Sequence, residues 1–214
     1  MNIVEYIEKH KIICICRKIY GEELLRLAHA MYDGGIRLME VTFDQADPEA
    51  VKKTAQAIEL LRGEFGETMH FGAGTVLTQE QVRAAKAAGA EYIISPNTNV
   101  DIIHLTKELG MASIPGAMSP SEILCAHDAG ADFVKLVPTV RLGLAYFKDI
   151  LGPISHVKIL GTGGLNEENL GDYLKLGMVG AGISGRLVDK AVREAGDYAT
   201  LSARAAAFVA IANQ

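Results

Sequence analysis

The chain has 214 residues, 49% of them hydrophobic, and a formal net charge of -5. That acidic balance lacks the basic footprint of a nucleic-acid binder, and no apolar run reaches the length of a membrane span. At this size a single domain over residues 1–214 is expected.

The N-terminus, Met1-Asn2-Ile3-Val4-Glu5, lacks the basic and then apolar layout of a signal peptide. Three cysteines fit a reduced, cytoplasmic protein better than a disulfide scaffold.

In chain order, a strand over 12–16 places Cys14 and Cys16 on one face as small core residues and ends in Arg17. A helix Gly21–Asp33 follows, then a strand over 36–42 carrying Glu40 and Thr42. Helix Pro48–Phe65 leads to a strand over 69–74, which runs into Gly72-Ala73-Gly74-Thr75. Helix Thr78–Ala88 stops at Gly89, and a strand over 91–95 reaches Ser95-Pro96-Asn97. Strand 112–115 ends in Pro115-Gly116, and a helix stops at Gly130. Strand 132–137 contains Lys135 and is followed by Pro138. Strand 156–160 precedes Gly161-Thr162-Gly163-Gly164 and a helix Asn166–Leu176. Strand 178–183 ends in Gly182-Ile183-Ser184-Gly185, ahead of a further short helical segment.

About eight such units alternate strand and helix, which implies a parallel sheet. The first turn, Cys16-Arg17-Lys18-Ile19-Tyr20-Gly21, is not a GxGxxG dinucleotide turn. A closed (β/α)8 TIM barrel is therefore favoured over an open doubly wound sheet. Barrel active sites form at the C-terminal strand ends, where Arg17, Glu40, Thr75, Lys135 and two glycine-rich loops collect.

Lys135 stands in Phe133-Val134-Lys135-Leu136-Val137, sharing a strand face with Phe133 and Val137. On an outer face it would be an ordinary surface lysine. On an inner face, burial would lower its pKa and leave an amine able to attack a ketone. Glu40, pointing inward, reads either as a structural partner of that lysine or as its proton shuttle. Arg17 could pair with Glu40 or fork onto a substrate carboxylate. The last two loops offer glycine backbone to an anion, as barrels often do after strands seven and eight.

These segments resemble the 2-keto-3-deoxy-6-phosphogluconate / 4-hydroxy-2-oxoglutarate aldolase family over nearly the whole chain. The resemblance is carried by Gly34–Thr42, Gly72–Leu77, Ile94-Ser95-Pro96, Ile114-Pro115-Gly116 with Pro120-Ser121-Glu122, Phe133–Pro138 and Thr162–Leu165. It implies a trimeric (β/α)8 class I aldolase, acting on a phosphorylated keto acid and yielding pyruvate. No cofactor or metal is implied. Lys135 is then similar to the Schiff-base lysine and Glu40 to the general acid/base. Thr75 and Arg17 resemble carboxylate contacts, Pro96 joins the substrate-binding set, and Gly163, Gly164 and Ser184 resemble the phosphate cradle.

Two departures bear on substrate. Asp44 occupies a position where many members of the family carry an arginine, and a carboxylate there is expected to repel a substrate acid. Ile183 makes the last loop bulkier, while Arg186 is a candidate extra cation for phosphate. Two other functions compete: a metal-dependent aldolase with Glu40 and Asp44 as oxygen ligands, and a non-catalytic phosphate-binding barrel.

Overall fold

A computed structural model describes Met1–Gln214. Nine parallel strands form one sheet in the order β5-β4-β3-β2-β1-β9-β8-β7-β6. In chain order they are β1 Ile12–Cys16, β2 Leu38–Thr42, β3 His70–Gly74, β4 Tyr92–Ile94, β5 Ala112–Ile114, β6 Gly116–Ala117, β7 Val134–Leu136, β8 Ile159–Thr162 and β9 Gly180–Ile183. The two edge strands, β5 and β6, are one chain segment broken only at Pro115. Proline has no N–H to give the ladder, but its carbonyl accepts from Lys135 N–H at 2.8 Å. The break is thus spanned and the eight-unit α/β barrel closes.

Helix Gly21–Asp33 falls where the sequence placed it. The helix expected from Pro48 begins at Ala50, and that expected from Thr78 runs Gln79–Ala87 inside a Thr78/Gln81 capping box. Gly89 and Gly130 sit at φ 91°, as helix-stop glycines should. The strand expected over 132–137 is trimmed to Val134–Leu136, and that over 156–160 is displaced. Asp132 is drawn out of β7 because its carboxylate accepts from Ser113 N–H at 2.8 Å and pairs with Lys107. The seventh unit's strand shifts to Ile159–Thr162, its Gly161 aligned beside Leu136.

Side chains divide between two layers. Cys14, Cys16, Met39 and Val41 face outward into the large core between strands and helices. Ile13, Leu38, Tyr92, Ile94, Ile114, Phe133 and Leu160 fill the barrel interior, joined by Ile7 from helix α1, Ile3–His10. Ile3, Val4 and Tyr6 pack against the same cluster, so α1 plugs the N-terminal end of the barrel. Tyr92 crosses that interior, and its hydroxyl donates to Met39 carbonyl at 2.6 Å. A Cβ on Gly72 would lie 2.2 Å from the Tyr92 ring, so only glycine admits the tyrosine there.

Candidate active site

The inward parity of each strand carries the site. In β2, Leu38 and Glu40 share the face that looks into the barrel; in β7, Lys135 follows the buried Phe133 on that face. Glu40 is 2% exposed, whereas Lys135 is half-buried between two fully buried neighbours. The lysine is thus more open than a closed core would leave it, a condition that lets a carbonyl reach its amine.

Glu40 Oε2 is buried without a hydrogen-bond partner. A diagonal neighbour on β3, two residues beyond its ladder partner Gly72, explains how the carboxylate fits. A Cβ on Gly74 would stand 2.3 Å from Glu40 Oε1, so the glycine in β3 vacates the space the carboxylate occupies. Burial pushes the Glu40 carboxyl up to about 7, against the opposing pull of Lys135 and then Arg17. Burial also holds the Lys135 ammonium below its ordinary value; Glu40 opposes that shift and Arg17 adds to it. An acid that takes and gives protons near neutrality stands beside an amine that loses its proton more readily than a surface lysine.

Arg17 lies on the exposed rim after β1 and donates from Nη1 to Thr75 Oγ1 at 3.3 Å. Thr75 is one of three non-glycine residues at positive φ, here 57°. A cavity of about 490 Å³ opens at this mouth, with Ile15, Arg17, Val137, Thr162, Gly163, Gly164, Gly182, Ser184 and Arg186 in its wall. Gly163 and Gly164 adopt φ of 98° and 85°. The N–H groups of Gly163, Gly164 and Gly185 donate to no protein acceptor, and all three residues line the cavity.

The helix drawn over Asn166–Leu176 begins only at Leu170, because Asn166 and Asn169 form a side-chain-bonded turn first. The segment after β9 likewise turns through Ser184–Val188 before the five-residue helix Lys190–Glu194. Glycine backbone, rather than a helix end, therefore supplies the free donors. Arg186 reaches the cavity wall, but its guanidinium forks onto Glu167 at 3.0–3.2 Å and is already partnered.

Asp44 pairs with Lys18 at 2.9 Å, which neutralises the charge expected to repel a substrate acid. No three His, Cys, Asp or Glu side chains converge as a metal site. Pro96 is exposed on the rim outside the cavity wall, its carbonyl packed where a Cβ on Gly116 would be 2.3 Å away. Gln45 and Gln81, which contact the Thr75 loop, were not singled out by sequence reasoning. The only signal for either was the Thr78–Gln81 capping spacing.

An inward lysine beside a proton-holding carboxylate, at the C-terminal mouth of a (β/α)8 barrel, defines the class of aldolases that work through an amine. The chain belongs to the KDPG and KHG aldolase family, whose model matches residues 3–204. The 2-dehydro-3-deoxy-phosphogluconate aldolase of Treponema pallidum is 34% identical over 95% of this chain and 94% of its own. The 2-dehydro-3-deoxy-6-phosphogalactonate aldolase of Escherichia coli is 30% identical, covering 89% and 93%. Among solved structures, the KDPG aldolase of Legionella pneumophila, with pyruvate captured at low pH as a covalent carbinolamine intermediate, superposes with a TM-score of 0.85. It is 28% identical over 97% of this chain and 98% of its own. The protein is accordingly a class I aldolase of the KDPG, KDPGal and KHG type.

Proposed function

We propose that this chain cleaves a 2-keto-3-deoxy-6-phospho sugar acid to pyruvate and glyceraldehyde 3-phosphate, with 4-hydroxy-2-oxoglutarate, giving pyruvate and glyoxylate, as a second substrate. The observation that carries the reading is the pair formed by half-buried Lys135 and buried, unpartnered Glu40, whose carboxyl is held at about 7.

In the proposed sequence, the Lys135 amine attacks the C2 ketone and forms a carbinolamine. Glu40 gives a proton to the departing hydroxyl, water leaves, and an iminium ion remains. The Glu40 carboxylate, through a water, then removes the C4 hydroxyl proton. The C3–C4 bond breaks, its electrons neutralise the iminium, and an enamine of pyruvate is left with the aldehyde released. Protonation of C3 and hydrolysis return pyruvate and the free amine. The imine itself is the electron sink, so no cofactor enters the scheme.

Arg17 and Thr75 are assigned to the substrate carboxylate. The free N–H groups of Gly163 and Gly164, with Ser184 beside them, are assigned to the phosphate. Pro96 is assigned to the rim that the substrate passes. A homotrimer in the cytoplasm is part of the same reading, resting on the family alone.

Borohydride reduction in the presence of pyruvate tests the scheme. An irreversible adduct on Lys135 is expected, with turnover lost more than about a hundredfold in Lys135→Met while far-UV circular dichroism is unchanged. Activity in that variant above about a hundredth of wild type would remove the lysine from the reaction. A coupled pyruvate-release assay across phosphorylated and unphosphorylated keto acids then separates the substrates.

A further inference from the structure

The loop between β2 and the helix Ala50–Phe65 grips both of its neighbours with adjacent residues. Asp44 pairs with Lys18 in the loop after β1. Gln45 donates from Nε2 to the carbonyl of Thr75, in the loop after β3, at 2.7 Å. Lys18 and Thr75 are both at positive φ, 55° and 57°, and Arg17 adjoins the first while donating to the second.

For a β-branched residue this backbone region is a rarely occupied one that its surroundings must impose. The imposing groups can be traced one by one. Gln81 is 5% exposed, and its Oε1 accepts from Leu77 N–H at 2.7 Å and Thr78 N–H at 3.3 Å. Those backbone donors fix which end of the Gln81 amide is oxygen, so its Nε2 must face outward. It donates to Gln45 Oε1 at 3.0 Å, which in turn fixes the Gln45 amide with its nitrogen towards Thr75. The result is an oriented line from the Leu77 and Thr78 backbone, through two amides, to one carbonyl in a left-handed turn.

We propose that Gln45, backed by Gln81, is a positioning residue for the keto-acid carboxylate. By holding the Thr75 peptide, it keeps the Thr75 hydroxyl accepting from Arg17, so that the hydroxyl proton and the guanidinium fork face one anion. This rests on the assignment of Arg17 and Thr75 to the carboxylate. Gln45 is exposed, so its replacement leaves the barrel core untouched.

The test uses pyruvate itself, reading the concentration dependence of borohydride trapping, together with KM and kcat for cleavage. Gln45→Met removes both amide bonds at nearly constant volume. It should raise the half-saturating pyruvate concentration and KM roughly three- to tenfold, with a smaller effect on kcat. In a Thr75→Ala background the same substitution should add less than about twofold, because the hydroxyl it positions is gone. Arg17→Ala, measured alongside, should weaken pyruvate trapping by roughly tenfold or more. If Arg17→Ala weakens trapping and Gln45→Met does not, or if the two Gln45 effects are additive with Thr75→Ala, the positioning role is wrong and the carboxylate assignment stands. If Arg17→Ala impairs only the phosphate-bearing aldehyde, the carboxylate assignment itself falls and takes the positioning role with it.

Discussion

The chemistry proposed for Glu40 rests on one titration. Its carboxyl, at about 7 in the fold, lies above its ordinary 4.5 because burial outweighs the attraction of Lys135 and Arg17. A raised acid binds its proton more tightly in the folded chain. Its contribution to stability is therefore complete below about pH 4.5 and is lost as pH rises through 7. Glutamine imitates the protonated form without that loss. Urea denaturation of Glu40→Gln should show a stability difference from wild type that moves in the variant's favour by up to about 3 kcal/mol between acid pH and pH 8. Turnover should fall by roughly 10²–10⁴-fold, and the limb of the kcat/KM profile near pH 7 should disappear. A profile that keeps this limb would mean that another group carries the proton.

At the scale of elements, what matters is how adjacent strands make room for one another. β3 offers Gly74 where β2 points Glu40, and the separation of 2.3 Å leaves no place for a methyl group. Gly74→Ala should displace the carboxylate, cost about 1–3 kcal/mol in urea denaturation and lower kcat well beyond what that destabilisation explains. An alanine variant with wild-type kcat would show that the carboxylate can move without consequence.

The same element scale explains what could be read beforehand. Alternation along β7 already grouped Lys135 with Phe133 and Val137 on one face, because a strand's period is fixed by its own residues, but only the closed barrel shows that this face looks inward. The rim was legible only in part. Lys18 with Asp44, Arg186 with Glu167, and Gln45 with Thr75 each join different loops. Nothing in a local sequence pattern states which loop ends will approach. Asp132 slipped out of its strand for the same reason, captured by Ser113 and Lys107 from neighbouring units. Thr75 in a left-handed turn was hidden more deeply, since threonine is the residue type least suggestive of that backbone.

Across the whole molecule, the outer core locks helices onto strands while the smaller inner cluster, stoppered by α1, fills the barrel from below. The amine of Lys135 and the carboxylate of Glu40 therefore belong to the upper part of a solid plug rather than to a channel. The cavity of about 490 Å³ opens above them, between Arg17 on one wall and the glycine loops on another. Under the proposed assignment of Arg17 and Thr75 to the carboxylate and the glycine loops to the phosphate, the two ends of the substrate fall on different loops and their contacts can be altered separately.

The stopper formed by Ile3, Val4, Tyr6 and Ile7 turns the barrel into a cul-de-sac. Traffic through a single doorway has an order: the half of the substrate tethered at the blind end is the last to leave. In the proposed scheme the untethered aldehyde departs first, and pyruvate follows through the same opening once its tether is hydrolysed. Initial-rate kinetics should accordingly obey an ordered one-substrate, two-product scheme. Pyruvate should inhibit competitively against the sugar acid, and the aldehyde should inhibit in a mixed fashion. The reverse pattern would mean that the aldehyde lingers at the doorway after pyruvate has gone, which a sealed floor forbids.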